Sequence, residues 1–214
     1  MTSSAPVKRL LARMKRAPAR AGEDAGAFSS MFPDASDAAP PVAAWRERAV
    51  RVGAAAFDHR QGVQAFVRLW GTDRNLVTLG ADELERMSQY IEFVRVPAGQ
   101  EVIGQDERGD YMLIVLDGAL SVDRGQPRGG KARLAEARAG DMLGEMSLLD
   151  AGARFSSCVT LAPCTLAVVE AKRLDDMIAR DPRLAVALLA SLSRRLSLRL
   201  RQVSSRLTAL LSQN

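Results

Sequence analysis

The order of apolar and polar residues divides the chain near Tyr90 into a helical first part and a β-rich second part. Residues 42–70 have a helical composition with aromatic side chains available for packing, and residues 81–90 predict one further short helix. After Tyr90, short β-rich runs separated by turn residues predict strands. These runs are 91–96, 111–116, 119–122, 132–137, 155–161 and 165–170.

Glycine is concentrated in the predicted β part, where ten of the 16 glycines lie between residues 97 and 152. Many short strands with glycine-rich turns are typical of a sandwich or barrel. Helix returns at 172–180, and Asp181-Pro182 then predicts the start of a helix of about thirty residues. The expected fold class is mainly β with flanking helices, a β-roll or jelly-roll barrel with a long C-terminal helix.

Leucine and valine repeat along the last predicted helix at intervals of three and four residues, which is nearly a heptad pattern. About thirty helical residues span about 45 Å, more than one small barrel can cover. A helix that only covers its own barrel is the alternative, but this length favours a parallel homodimer through residues 182–213. The repeating residues are Leu189, Leu192, Leu196, Leu200, Val203, Leu207 and Leu210.

The charge of the chain is unevenly distributed. Residues 1–20 hold six cations and no acid, and residues 182–214 hold six arginines and no acid, which leaves residues 21–181 with a net charge of −7. A nucleic-acid-binding domain is expected to carry positive charge on its folded surface. The charge distribution therefore argues against specific DNA binding by the body of the protein.

Composition also predicts the domain organisation and excludes several kinds of chemistry. Residues 1–41 are expected to form a disordered basic tail rich in proline and alanine, followed by a helical extension over 42–74. No stretch is long and apolar enough for a membrane span or a signal peptide, and two cysteines fit reduced thiols, so we expect a cytoplasmic protein. With His59 as the sole histidine, multi-histidine metal sites are excluded.

The most informative segment runs from Gly140 to Cys158. It predicts a glycine turn, a single helical turn at 145–149 and a loop, an arrangement that directs backbone N–H groups towards an anion. Arg154 can add a bidentate guanidinium to the same anion, and Glu145 can accept hydrogen bonds from ligand hydroxyls. A phosphate site beside a sugar-hydroxyl site describes a nucleotide. A buried Glu145–Arg154 ion pair that only braces the loop is the structural alternative.

Gly144-Glu145-x-x-Leu148 followed by Arg154 resembles the phosphate-binding cassette of cyclic-nucleotide-binding domains, the fold of bacterial catabolite-activator proteins and of cAMP-dependent kinase regulatory subunits. The resemblance covers about residues 75–214. It includes Pro97-Ala98-Gly99-Gln100-Glu101, Gly109-Asp110-Tyr111-Met112 through Leu116-Asp117-Gly118, Gly140-Asp141 and the closing helices 171–214.

The resemblance implies a role for each cassette residue. Glu145 would take the ribose 2′-hydroxyl, Arg154 the exocyclic phosphate oxygens, and the backbone of Met146, Ser147 and Ser156 the remaining phosphate contacts. Gly144 would permit the close approach of the ligand.

Phe155 departs from the family pattern, which usually has a small residue after the arginine. Its ring could stack on a purine or point into the core. The resemblance favours cAMP as the ligand, and cGMP and cyclic di-GMP stay open.

The resemblance implies a sensor. The residues do not suggest an enzyme, because no nucleophile with a base is visible. The printed sequence shows no helix-turn-helix after the long helix, so we expect a standalone protein that signals to an unknown protein partner. Nucleotide would draw helices 172–180 and 182–214 over the base, with Arg195, Leu198, Arg199 and Gln202 as possible lid contacts. The alternatives are a scaffold protein with a cassette that no longer binds, and a nucleic-acid binder that uses the basic ends.

Overall fold

The structure, a computed structural model, describes residues 42–71, 79–126, 129–150 and 152–212, so the predicted tail 1–41 lies outside the described residues. The helices are α1 (Trp45–Arg51), α2 (His59–Gly71), α3 (Ala81–Ser88), α4 (Glu145–Asp150), α5 (Ala171–Arg180) and α6 (Pro182–Leu211). The strands are β1 (Val42–Ala43), β2 (Ala55–Ala56), β3 (Glu92–Val96), β4 (Glu101–Ile103), β5 (Arg108–Gly109), β6 (Tyr111–Asp117), β7 (Ala119–Gly125), β8 (Lys131–Arg138), β9 (Met142–Leu143), β10 (Ser157–Thr160) and β11 (Cys164–Glu170).

Two antiparallel sheets form a β-roll. One sheet has the strand order β4-β10-β7-β8 and the other the order β2-β3-β11-β6-β9. A separate parallel pair joins β1 to β5. The expected fold class, mainly β with flanking helices and a long C-terminal helix, is confirmed.

The centre of the five-stranded sheet is buried on both faces. Along β6, Tyr111, Leu113 and Val115 point into the roll, whereas the alternate residues Met112 and Ile114 pack under the helices. Because side chains alternate across a strand, a strand with two covered faces appears in the sequence as a continuous apolar run. The helical layer adds residues of α2, α3, α5 and α6, among them Phe66, Trp70, Leu84, Met87, Leu174, Met177, Leu184 and Leu188.

The six predicted strands and the two C-terminal helices are present, but the helical extension requires correction. Within residues 42–74, β1 and β2 flank α1, and Ala55–Ala56 adds an edge strand beside β3. Neither alanine-rich pair carries a strand signal in the sequence, so tertiary pairing makes these strands. The short strands β4, β5 and β9 were also not predicted. Residues 72–74 lie outside the described residues.

Only the first half of α6 packs on its own domain. Leu184, Leu188 and Leu192 are buried in the helical layer, and Leu196 is half-buried. Beyond it, the exposed fractions of Leu200, Val203, Leu207 and Leu210 are 67%, 56%, 55% and 65%. The heptad seam therefore leaves the barrel surface, and its last four residues form an unpartnered apolar stripe in the described chain.

Candidate functional site

The predicted cassette lies between β9 and β10 and contains α4. Gly144 has φ +78°, a conformation that glycine adopts without strain. A Cβ at Gly144 would collide with the Arg154 guanidinium, and so would a Cβ at Gly109 on β5. The two glycines thus leave between them the space that the arginine occupies.

Arg154 is almost completely buried, with 2% of its surface exposed. Its Nη1 donates to the Gly144 carbonyl at 2.6 Å, and its Nη2 donates to the Tyr111 carbonyl at 2.5 Å. The guanidinium carbon lies 4.8 Å from the centre of the Tyr111 ring. Its Nε has no hydrogen-bond partner, and among the described residues no carboxylate forms an ion pair with this side chain.

Glu145 begins α4, is 6% exposed, and contacts the C-terminal helix. Its Oε1 accepts a hydrogen bond from Arg199 Nη1 at 2.9 Å. One turn earlier on α6, Arg195 Nη1 donates to the Gly140 carbonyl at 2.8 Å. Two arginines of α6 are therefore attached to the segment that leads into the cassette.

The structure does not bring Glu145 and Arg154 together as an ion pair, so the loop-bracing alternative is wrong. Glu145 faces Arg199, whereas Arg154 turns towards Gly144 and Tyr111. Glu145 lines the cavity between the cassette and α6 and Arg154 does not, which differs from the phosphate site beside a sugar-hydroxyl site that the sequence predicts.

A cavity of about 200 Å³ separates the cassette from α6. Its lining includes Glu145 and all four predicted lid residues, and it consists of Asp141, Met142, Glu145, Leu192, Arg195, Leu198, Arg199 and Gln202. The lid residues recur at intervals of three, one and three, so one face of α6 forms this wall. Arg154, Phe155 and Ser156 do not line the cavity.

Phe155 is 56% exposed, so the alternative that it points into the core is wrong. The guanidinium carbon of Arg124, on β7, lies 4.2 Å from the centre of the Phe155 ring, and Arg124 Nη1 also donates to the Phe155 carbonyl. This cation–π contact orients the ring at the cassette surface. Met146 is exposed and Ser147 is buried. The phosphate contacts expected of their backbones and of Ser156 stay predictions.

Three residues near Arg154 were not singled out as site residues in the sequence analysis. Tyr111 supplies a carbonyl acceptor and a ring face, Gly109 supplies space, and Arg124 covers Phe155. The Gly109-Asp110-Tyr111 motif was the available signal for the first two. The sequence does not show that β5 and β6 lie beside the cassette, and this placement brings Gly109 and Tyr111 against Arg154.

Burial shifts the pKa of Arg154 and of both cysteines. Desolvation lowers the pKa of Arg154, and it raises the pKa of the Cys158 thiol to about 12. Burial is also the main cause of the raised pKa of Cys164, and both cysteines are unpaired. Both thiols are therefore neutral at physiological pH.

We expect neither cysteine to react with dithionitrobenzoate in the folded protein at about pH 8, because the thiolate is the reactive form and both sulfurs are buried. Both should react at once in concentrated guanidinium chloride, which serves as the control. Absorbance of the released thionitrobenzoate measures the count. Rapid labelling of either thiol in native buffer would contradict this prediction.

Among the described residues, no helix combines the length and the apolar character that crossing a membrane requires. In the same part of the chain, histidine, cysteine and acidic side chains do not cluster in groups of three or more that could hold a metal ion.

Comparison with known proteins agrees with this geometry. The family model "cyclic nucleotide-binding domain" matches residues 93–181, which include the cassette, Glu145 and Arg154. Residues 93–181 of the chain therefore match a cyclic nucleotide-binding domain.

The names of two curated relatives mention cyclic AMP. Over 110 residues, the chain is 31% identical to the CRP-like cAMP-activated global transcriptional regulator of Mycobacterium tuberculosis, covering 51% of this chain and 49% of that protein. It is 30% identical over 118 residues to the cyclic AMP receptor protein of Thermus thermophilus, covering 55% of each. The chain thus spans about half the length of the curated relatives it matches.

Solved structures share the fold. A cyclic nucleotide-binding domain from Methylobacillus flagellatus superposes with a TM-score of 0.67 at 24% identity, covering 73% of this chain and 88% of that one. The Thermus thermophilus catabolite activator protein superposes with a TM-score of 0.56 at 28% identity, covering 62% and 60%. The β-roll with its closing helices is thus a shared architecture.

Proposed function

We propose that this protein is a cytoplasmic sensor that binds a cyclic nucleotide between the cassette and α6, and that transmits binding to a protein partner through movement of its C-terminal helices. The domain family and the regulatory relatives support the ligand class. The favoured ligand is cAMP, which the printed names of these relatives mention, and cGMP and cyclic di-GMP are the competitors to be tested.

The observation that carries the proposal is a buried cation without a carboxylate partner. A guanidinium taken out of water loses several kcal/mol of solvation, which an ion pair ordinarily offsets. Arg154 has two backbone carbonyls and an unsatisfied Nε instead. A cyclic phosphate would supply the missing negative charge. Glu145 would accept the ribose hydroxyl.

The size of the cavity links binding to helix movement. Pockets for small-molecule ligands ordinarily measure about 300–1,000 Å³, and this cavity measures about 200 Å³. A nucleotide must therefore widen the space between Glu145 and α6 and turn Arg154 towards it. Because Arg199 already holds Glu145, the ribose hydroxyl and the lid arginine meet at one carboxylate. Ligand and helix position are then coupled reciprocally.

We expect Glu145→Gln to loosen α6 even without nucleotide, because the substitution removes the charge that Arg199 contacts. Amide hydrogen exchange across residues 196–204 should accelerate about threefold or more, since the ion pair is one of the contacts that hold this mostly exposed segment. Mass spectrometry of peptic fragments measures the exchange.

The matched control is Glu136→Gln, which removes an exposed carboxylate paired with Arg138 on the same strand. This variant should leave exchange in α6 unchanged. Equal exchange of residues 196–204 in wild type and Glu145→Gln would show that the ion pair does not hold the helix.

Isothermal titration calorimetry of the wild-type chain with cAMP, cGMP and cyclic di-GMP tests the proposal. Saturable binding of one of them at one site per chain supports it. Absence of binding by all three supports the alternative, a scaffold protein with a non-binding cassette. Two observations favour that alternative: both Arg154 Nη groups already have acceptors, and Arg199 occupies Glu145.

A further inference from the structure

We infer that α1, through Trp45 and Arg48, positions the Arg154 guanidinium for its ligand. This inference rests on the proposed function, because it concerns the affinity of the same site. Trp45 and Arg48 lie in the N-terminal extension, outside the residues that the family model matches. They touch Arg154 only through other residues and are therefore positioning residues.

The first step concerns what holds Arg154 itself. Its backbone N–H donates to the Glu107 carbonyl at 2.8 Å, and its own carbonyl accepts from the Asp106 N–H at 2.9 Å. Its guanidinium lies against the Tyr111 ring and donates to the Tyr111 carbonyl. Apart from Gly144, these partners of Arg154 all lie between residues 106 and 111.

The second step concerns what holds residues 106–111. The ring of Trp45 packs on that of Tyr111, with centroids 5.2 Å apart. Arg48 pairs with the Glu107 carboxylate and donates to the Glu101 carbonyl at 3.1 Å. The strand β1, directly before α1, pairs with β5, and Ala43 lies opposite Gly109. The β1–α1 segment thus supports residues 106–111, which contact Arg154.

The third step concerns the burial of Trp45 and Arg48. Trp45 and Arg48 are three residues apart on one face of α1, and their exposed fractions are 1% and 3%. A buried arginine is unfavourable unless its contacts are specific. Arg48 uses its charge on Glu107, whose other carboxylate oxygen accepts from the Gly104 N–H at 2.9 Å. Helix α1 therefore holds residues 106–111 in place, and these residues hold Arg154.

The consequence is energetic coupling between α1 and the nucleotide. If Arg154 must hold a defined direction to meet a phosphate, loosening residues 106–111 weakens binding even though no ligand contact is removed. By reciprocity, nucleotide at Arg154 changes the environment of Trp45. Residues 1–41 join the described fold at β1, beside this support.

The experiment compares cAMP binding by calorimetry in wild type, Arg48→Met and Arg51→Met. Arg51 is an exposed arginine of the same helix and serves as the matched control. We expect Arg48→Met to bind about tenfold more weakly with an unchanged folded circular-dichroism spectrum, and Arg48→Lys to recover part of the loss. Arg51→Met should bind like wild type.

Tryptophan fluorescence adds a readout that a purely structural role would not move. In Trp70→Phe, Trp45 is the sole tryptophan, and saturating cAMP should change its emission. A wild-type Kd in folded Arg48→Met would overturn the inference and leave the proposed function intact. Unchanged Trp45 emission at saturation would overturn it as well. Failure of the wild-type chain to bind any of cAMP, cGMP and cyclic di-GMP would instead overturn the proposed function, and the inference with it.

Discussion

Arg154→Ala is expected to weaken cyclic-nucleotide binding by about a hundredfold or more. In the proposed complex the guanidinium donates charge-assisted hydrogen bonds to the phosphate, and each such bond contributes about 1.5–3 kcal/mol. Loss of two therefore exceeds about 3 kcal/mol, or roughly a hundredfold in Kd. Calorimetric titration of wild type and variant with the nucleotide that binds wild type measures the effect.

Arg154→Ala also removes a buried side chain, so folding must be measured beside binding. The variant leaves the Gly144 and Tyr111 carbonyls without their donor, and its thermal midpoint should fall. Arg154→Lys keeps the charge but loses the planar fork, and we expect an intermediate affinity. Arg138→Ala, at an arginine side chain that is 75% exposed, is the control and should change neither quantity. Wild-type affinity in folded Arg154→Ala and Arg154→Lys would refute the proposed role.

Periodicity predicted the parts of the fold in which one residue type repeats. The β6 and β11 sequences are nearly uninterrupted apolar runs, because the roll covers one face and the helices cover the other. The resemblance named Arg195, Leu198, Arg199 and Gln202 as possible lid contacts, and the structure places all four against one cavity. Whether these four contact the nucleotide stays a prediction.

Contacts between residues that are distant in the sequence cannot be predicted from periodicity. The direction of Arg154 depends on Tyr111, 43 residues earlier, and the partner of Glu145 is Arg199, 54 residues later. The β1–β5 pair joins residues 66 positions apart, and no turn signal or apolar pattern in the sequence predicts it. The first contact joins the cassette to β6, and the other two form where a closing helix and the N-terminal segment meet the roll.

The two faces of α6 have different surroundings. Gln202 lines the cavity and Leu200 belongs to the exposed stripe, and these two positions are about 160° apart around the helix, whereas Arg199 of the cavity wall and Val203 of the stripe are only about 40° apart. The cavity wall therefore suits the proposed nucleotide, and the adjoining stripe suits a second copy of the chain. A displacement of α6 by ligand would move both faces at once, so the dimer contact would carry the signal away from the cassette.

Leu200→Glu combined with Leu207→Glu is expected to convert a dimer into a monomer of 23.1 kDa without unfolding the barrel. The leucines are 67% and 55% exposed, so the substitutions remove no contact within the described chain. In the proposed parallel homodimer they would bury like charges against each other, at a cost of several kcal/mol. Sedimentation equilibrium measures the mass, and circular dichroism checks the fold.

Ser197→Glu combined with Thr208→Glu is the matched control, because both residues are exposed on α6 and lie outside the heptad seam. This variant should remain a dimer. Raising ionic strength should strengthen the wild-type dimer, since the exposed second half of α6 carries Arg201 and Arg206 and no acid in each copy. A monomeric wild type across the micromolar range would refute the dimer and confine transmission to movements within one chain.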